Sequence, residues 1–377
     1  MRVLSLFANI GVAEAYLYQI GVDVVVANEL IERRAELYSK IYPNTQMICG
    51  DITSQTVFQE IVEASRKAKV DVIMATPPCQ GISRAGKQIK DDARNLLILP
   101  VVKIIEELQP RYVFIENVPQ FIETYIAVDG KQVLITDYIK DLLEDQYSIN
   151  AEVIDTKNYS VPQTRQRTIL LLTKTGEPRE WRLPPCEKNL ISLEDAIGDL
   201  PSLDPIVKDI SRSELLKLFP LYQEKIKAAQ KISRWHYPPE HILRQVITMM
   251  HTPTGKTAFD NEKYVPMKND GTVVRGYKST YRRLRWCDPA STVTMDNRKI
   301  SSQNNVHPGR YIGKDENGDD LYSDARALTL FELMRVMSLP DNWPLPDDVN
   351  VAFVRSIIGE GIPPMFVKKV FERISEV

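Results

Sequence analysis

A cysteine, a glutamate and a pair of arginines carry the chemistry legible in this sequence. Cys79 stands in "MATPPCQGIS", behind two prolines and after the apolar run "VDVIMA". That run reads as a buried strand. Pro77 and Pro78 cannot extend its ladder, because proline has no backbone donor. The thiol is therefore expected just past the carboxyl end of a strand, where open α/β sheets place ligands; a cysteine kept for packing is expected inside the strand. "FIENVPQF" sets Glu116 and Asn117 at the end of the strand from Tyr112, expected beside the strand that leads to Cys79. A thiolate and a carboxyl group in one cleft make a nucleophile and a proton donor. The alternative for a lone buried glutamate is an ion pair. "VPQTRQRTILLL" places Arg165 and Arg167 two apart at the entry to another strand. Alternate residues share a strand face, so both guanidinium groups are expected to point into the cleft and hold an anionic or carbonyl-bearing substrate. Arginines flanking a strand are also common on surfaces.

A second set of strand ends suits a nucleoside. "LFANIGVAEAY" follows the first strand and opens what reads as a helix, the place where backbone donors are free. It holds only Gly11 and not G-x-G-x-x-G, so a pyrophosphate cradle is poorly supported. "ANEL" puts Glu29 at the end of the second strand, where an acid can accept both ribose hydroxyls. "CGDI" puts Asp51 at the end of the third, where a carboxylate can accept from an adenine amine. A single carboxylate at a strand end is often only a cap. Three consecutive strand ends make an adenosine-sized site, and without a pyrophosphate loop S-adenosylmethionine fits better than NAD.

The elements that must hold these residues alternate over the first 175 positions. Strands are expected at "RVLSLF", "DVVVANE", "QMICGDI", "DVIMAT", "RYVFIENV" and "RQRTILLLTK". Helices are expected at "AEAYLYQIG", "LIERRAELYSKIYP", "TVFQEIVEASRKA", "LLILPVVKIIEELQP" (with Pro100 as a candidate kink) and "ITDYIKDLLEDQ". This rhythm predicts an α/β fold: a doubly wound, mainly parallel sheet with helices on both faces. After Lys174 it breaks. "TGEPREWRLPPCEK" is a boundary candidate, and a short helix at "SLEDAIGDLPSLDP" is stopped by Gly198 and Pro201. Residues 206–278 give weak signals beyond a basic helix near "ELLKLFPLYQEKIKAAQK". The expected organisation is a catalytic and cofactor-binding domain over 1–185, a smaller irregular domain over 186–280, and a return segment over 281–377 whose last helix packs back on the first domain.

Composition sets outer bounds. The 377 residues are 43% hydrophobic and 26% charged, as in a soluble globular protein. The four cysteines (Cys49, Cys79, Cys186, Cys287) form no C-x-x-C pair, so neither a zinc site nor a disulfide framework is indicated. The four histidines show no ligand pattern, and no metal is expected. "MRVLSLFANIGVAEA" mimics a signal peptide, but Asn9 and Gly11 interrupt its run and the strand-helix rhythm continues through it. No run approaches a membrane span, and a cytoplasmic protein is expected. Net charge is −2, unlike a globally basic nucleic-acid binder. Residues 275–310 nonetheless hold eight Lys/Arg against two Asp, a local +6 against −8 elsewhere. That segment is either a phosphate-contacting surface or a solvated charged loop.

The pieces in order — "LFANIG", "NEL", "GDI", "PPCQG", "ARNLL", "ENV", "QTRQR", then "RALTLFELMRVMSLPDNW" and "IGEGIPP" — resemble the DNA (cytosine-5) methyltransferase family of the bacterial restriction-modification type. The likeness covers nearly the whole chain. It implies a target cytosine flipped out of the duplex, Cys79 as thiolate adding to ring carbon 6, and Glu116 holding or donating a proton at ring nitrogen 3, with its pKa raised by burial. It gives Arg165 the base carbonyl, with Arg167 beside it to make the pocket electropositive for the thiol. S-adenosylmethionine gives its methyl group to carbon 5 and leaves as S-adenosylhomocysteine. The implied cofactor residues are Phe7, Ala8, Asn9, Ile10, Gly11, Glu29, Leu30, Asp51, Ile52, Pro78, Leu97, Glu360 and Ile362. The implied DNA contacts are Gln80, Ser83, Arg84 and Lys87 on a closing loop, and Arg282, Arg283 and Arg285. Residues 206–278 correspond to a target-recognition domain. Double-stranded DNA is the expected partner of a monomeric, bacterial or phage-encoded enzyme, with a cognate restriction endonuclease by family analogy. The chain departs from the pattern where Asn9 and Val12 replace glycines, where Glu360 replaces asparagine, and at Met337 and Ser338 in "RVMSLP". A tRNA cytosine-5 methyltransferase, a non-catalytic DNA-binding relative and an NAD-dependent oxidoreductase are the competing readings.

Overall fold

Short apolar runs rich in valine and isoleucine build the central sheet, and their period of two covers both of its faces. The strands are β1 (Arg2–Leu6), β2 (Asp23–Glu29), β3 (Gln46–Cys49), β4 (Val72–Ala75), β5 (Tyr112–Asn117), the hairpin β6 (Tyr125–Val128) and β7 (Lys131–Leu134), β8 (Tyr147–Asp155) and β9 (Gln166–Lys174). The seven-stranded sheet runs β3-β2-β1-β4-β5-β9-β8. Neighbours from β3 to β5 are parallel, and β9 is antiparallel to both β5 and β8. The structure is a computed structural model that describes residues 1–78 and 93–375.

On one face Leu4, Leu6, Ile73, Ala75, Val113 and Ile115 meet α2 (Gln55–Ala68), α3 (Ile98–Leu108) and α4 (Ile135–Leu143), which follow α1 (Glu32–Ile41) in the chain. On the other, the alternate residues Val3, Val72, Met74, Tyr112 and Phe114 meet Trp181 and a C-terminal helix. Pro100 lies in the first turn of α3, where its missing N–H breaks no intrahelical bond, so it makes no kink. Residues 2–6 pair on both sides in the middle of the sheet, so the signal-like start is part of the fold. The first expected helix is absent as such: residues 11–16 form turns and only Leu17–Ile20 make a 3-10 turn.

Beyond β9 come α5 (Leu193–Ile197), α6 (Arg212–Leu218), α7 (Tyr222–Ile232), α8 (Leu243–Met250), α9 (Leu330–Val336), α10 (Val351–Ile358) and α11 (Pro364–Phe371), with the two-stranded pairs β10 (Ile206–Val207)/β11 (Glu240–His241) and β12 (Tyr311–Lys314)/β13 (Asp320–Tyr322). The basic helix expected near residue 220 is two helices. Pro220 disfavours helical geometry at Phe219, which caps α6 with φ −129° and ψ 81°, outside the helical region. The Pro-rich boundary candidate is no loose linker. Trp181 within it is fully buried, donates Nε1 to Val370 O at 2.9 Å, and meets Phe371 edge-on at 5.1 Å.

Candidate active site

The ends of β4 and β5 meet the start of β9 at one edge of the sheet, because β4 and β5 are parallel and β9 runs antiparallel to β5. Thr76 ties the end of β4 to β1, its Oγ1 donating to Phe7 O at 3.2 Å. Asn117 Nδ2 donates to Pro77 O at 3.1 Å, while its Oδ1 accepts from Val118 N at 2.9 Å. The buried amide thus fixes the first proline of the Pro-Pro step against β5. Cys79 lies outside the described residues, one position beyond Pro78, which is half-buried.

Glu116, the penultimate residue of β5, is 7% exposed. Its Oε1 lies 2.7 Å from Arg167 Nε. The register that pairs Asn117 with Thr168 brings Arg167, one residue earlier on β9, level with the end of β5. The sequence reading placed Glu116 by strand order and held an ion pair as the alternative; the structure puts the guanidinium of Arg167 on its carboxylate.

Arg165 takes a different place from the one expected. It precedes β9, is 1% exposed, and donates Nη1 to Val293 O at 3.1 Å and Nη2 to Gly359 O and Glu360 O at 2.9 and 3.2 Å. The shared-face expectation for the two arginines fails because the strand begins only at Gln166. Arg165 is held on the carbonyls of two loops, and Arg167 is the arginine on Glu116. Gly359 has a steric reason: a Cβ there would stand 2.5 Å from Thr294 O.

At the other strand ends, Phe7 and Asn9 adopt left-handed φ of 59° and 54°, and Gly11 77°. Asparagine tolerates that region better than most side chains, which explains how it stands where the family has glycine. A Cβ on Gly11 would lie 2.1 Å from the ring of Tyr42, whose hydroxyl donates to Gly11 O at 2.6 Å. Glu29 accepts from Asn9 N on Oε2 and from Ile31 N on Oε1, both at 2.9 Å. Each oxygen keeps a second lone pair, which is what a vicinal diol needs. Asn28 Nδ2 donates to Ile48 O and Gly50 O and holds β2 to the end of β3. Asp51 is exposed there, with Oδ1 accepting from Thr53 N and Oγ1 in a local turn. Leu30 is 61% exposed, an apolar side chain at the mouth. Ala8 is buried, and Leu97 is half-buried on a 3-10 turn packed on the core. Ile10, Ile52 and Ile362 were expected at the cofactor; their side chains are buried in the hydrophobic core. The donor set fits an adenosine-bearing cofactor: a carboxylate with free lone pairs, an apolar residue beside it, and the buried Asn9 Oδ1 with no hydrogen-bond partner among the described residues.

Gln80, Ser83, Arg84 and Lys87 lie outside the described residues. Arg283, expected on DNA, is fully buried and donates to the carbonyls of Met249, His307 and Asp324. It replaces backbone partners that this irregular region lacks. Arg285 is exposed and 3.7 Å from Asp288; Arg282 is half-buried with no ion pair among the described residues. Lys278, Lys299 and Arg310 pair with Asp260, Asp296 and Glu194. Only Asp260 and Glu194 are carboxylates from outside the segment, so its local positive charge is reduced and not cancelled. No group of three His, Cys, Asp or Glu could hold a metal ion among the described residues, and none of their helices is long and apolar enough to cross a membrane.

Sequence reasoning missed Arg34, Tyr42 and the tie from Asn117 to Pro77. Asn117 was quoted beside Glu116, so its place at a strand end was a usable signal. Arg34 carries none, since on a helix it reads as surface charge.

The model of the C-5 cytosine-specific DNA methylase family matches residues 1–376. The chain is 41% identical over 376 residues to the Type II methyltransferase M1.HgaI of Avibacterium volantium, covering 98% of this chain and 97% of that one. It is 24% identical to the Type II methyltransferase M.DdeI of Desulfomicrobium norvegicum, covering 100% and 88%. Among solved structures, a prophage-encoded putative DNA modification methyltransferase from E. coli superposes with a TM-score of 0.66 at 18% identity, covering 99% and 98% of the two chains. A DNMT2 from Spodoptera frugiperda gives 0.60 at 15%, covering 100% and 99%. These two likenesses speak for the fold, a Rossmann-like methyltransferase sheet. With the family match over the whole chain, the protein belongs to the C-5 cytosine-specific DNA methylases: it is a sequence-specific DNA (cytosine-5) methyltransferase with S-adenosylmethionine as methyl donor and DNA as substrate.

Proposed function

We propose that Cys79, Glu116 and Arg167 perform the transfer, and that Arg165 holds the framework around them. Cytosine must leave the stack before its ring can be attacked. The Cys79 thiolate adds to ring carbon 6, and the ring electrons shift toward carbon 5 and nitrogen 3. Glu116 faces nitrogen 3 and manages its proton. Arg167, on Glu116 at 2.7 Å, fixes that carboxylate and binds the base carbonyl. Bound S-adenosylmethionine supplies an electrophilic methyl group to carbon 5. Loss of the carbon 5 proton to a base then re-forms the ring double bond and expels the thiolate of Cys79. Glu29 accepts the ribose hydroxyls, Asp51 the adenine amine, and Leu30 covers the base edge. The ion pair between Arg167 and Glu116, at the strand end beside Pro77, is the observation that carries this reading.

Residues 206–278 and the arginines of 275–310 that have no ion pair among the described residues are assigned to reading and holding duplex DNA. The reading extends to a cytoplasmic monomer and, since two relatives carry the name Type II methyltransferase, to a companion endonuclease acting at the same site. The test is transfer of labelled methyl from S-adenosylmethionine to mixed-sequence duplex DNA and to tRNA, with bisulfite sequencing, wild type beside Cys79→Ala. Label in duplex DNA at one repeated cytosine context, in wild type only, is expected. Preferential label in tRNA, or turnover by Cys79→Ala, overturns the assignment.

A further inference from the structure

Arg34 and Glu360, which meet Asn9 on the loop after β1, have no part in the scheme above. Arg34, in the first turn of α1, donates Nη1 and Nη2 to Glu360 Oε2 and Oε1 at 2.9 and 3.0 Å. Asn9 Nδ2 approaches the same Oε2 at 3.4 Å. The two charged side chains are 18% and 20% exposed, so water screens the pair only in part. A forked guanidinium on a carboxylate fixes direction as well as distance. Gly361 lies directly on the loop after β1, where a Cβ would come within 2.9 Å of Val12 Cβ. Two departures from the family pattern, Asn9 and Glu360, are therefore in contact, and Arg34 supplies the cation that the extra carboxylate needs. Asn9 Oδ1 and Arg34 Nε are buried without hydrogen-bond partners among the described residues, leaving one acceptor and one donor at this spot.

The strand order tells which part of the cofactor lies there. Asp51 follows β3, Glu29 ends β2, the 7–12 loop follows β1, and Cys79 follows β4. An extended S-adenosylmethionine with adenine at Asp51 and ribose at Glu29 brings its amino-acid end to the loop of β1. We propose that Arg34 is a positioning residue for the amino-acid end of the cofactor. By drawing Glu360 against Asn9 it latches the 359–361 turn over the loop, so that the turn closes one side of that subsite. This rests on the cofactor placement proposed above.

The test is calorimetric binding of S-adenosylhomocysteine, and of methylthioadenosine, which lacks the amino-acid end, to the full chain. Wild type, Arg34→Ala, Arg34→Lys and Glu360→Asn are compared. Arg34→Ala and Glu360→Asn are expected to weaken S-adenosylhomocysteine about tenfold, and methylthioadenosine less than about twofold. Arg34→Lys is expected between, and the cofactor KM should rise with the loss while kcat falls less. The double variant Arg34→Ala with Glu360→Asn should be no weaker than either single, because both remove one interaction. Equal loss of both ligands, or loss of neither, overturns the latch. Failure of wild type to bind either ligand would overturn the cofactor placement itself.

Discussion

The edge of the sheet and the region past residue 275 use arginine in opposite ways. At the sheet edge the backbone is satisfied by regular ladders, and Arg167 is left to meet a carboxylate at the strand ends. In the irregular region few ladders exist, and buried carbonyls still need donors. There Arg283 donates to the backbone carbonyls of Met249, His307, Asp324 and Tyr322, and Arg326, fully buried, donates to Leu203 O and joins Asp324 and Glu332. Arg165 follows the second pattern although it stands two residues from Arg167. An arginine's role here follows from whether its surroundings already have their hydrogen bonds.

The sharpest way to break this comparison is to remove each arginine of the pair. Arg167→Ala should lower kcat by about 10²–10⁴-fold, in the range of a lost proton-handling group, and should lose less stability than Arg165→Ala. Arg165→Ala should lower stability by about 3 kcal/mol or more, since it strands buried carbonyls. Denaturant unfolding beside single-turnover rates separates the two. A stable, slow Arg165→Ala with an unfolded Arg167→Ala would reverse the assignment.

Acid should act next. Burial lowers His241 to about 3 and His307 to about 4, from an ordinary 6.5. The unfolded chain then binds more protons between about pH 6.5 and 4, and stability falls as pH falls through that window. Beneath the cofactor loop the sign is opposite. Burial raises Glu14 to about 7, against hydrogen bonds from Ser5 and Tyr38 that lower it. Its contribution is full below about pH 4.5 and is lost as pH rises through about 7. Glu14→Gln should therefore steepen the decline of melting temperature on acidification between about pH 6.5 and 4.5, where the two signs oppose each other. An unchanged slope would remove Glu14 from that balance.

The smallest effects belong to the exposed cations. Arg275 and Arg298 have no ion pair among the described residues, whereas Arg310 is committed to Glu194 at 2.6 Å. Replacing Arg275 or Arg298 by Gln should each reduce the log–log salt slope of DNA binding by about 1. Arg310→Gln should change it less. Equal slopes for all three would mean that the ion pairs exchange freely for phosphate.

How much was legible follows the same division. Strand periodicity located Glu29 and Glu116 at the ends of their strands and Asp51 just past β3, because a strand end is a local property. Thr329 and Glu332 form the capping box that starts α9, a T-x-x-E spacing the sequence reading passed over. Ser338 and Met337, odd against the family pattern, are accommodated. Ser338 takes the left-handed φ of 58° and accepts from Met365 N at 3.2 Å, and Met337 Sδ accepts from Gln163 Nε2 at 2.9 Å. The partners of Arg165, Arg283 and Arg34 were not legible. Each lies on a loop or helix more than twenty residues away, and no local spacing encodes such contacts. The basic count over 275–310 could not show which cations are committed, since two of the pairing carboxylates, Glu194 and Asp260, lie outside the segment.

The most direct test of the central claim uses duplex DNA carrying 5-fluorocytosine at the methylated position. Fluorine at carbon 5 cannot leave as a proton does, so the bond between sulfur and carbon 6 persists after methyl transfer. Mass spectrometry of the wild-type enzyme incubated with this DNA and S-adenosylmethionine should find a covalent adduct on the peptide that contains Cys79, absent in Cys79→Ala. An adduct at Cys49, Cys186 or Cys287, or none while ordinary cytosine is methylated, would contradict the account.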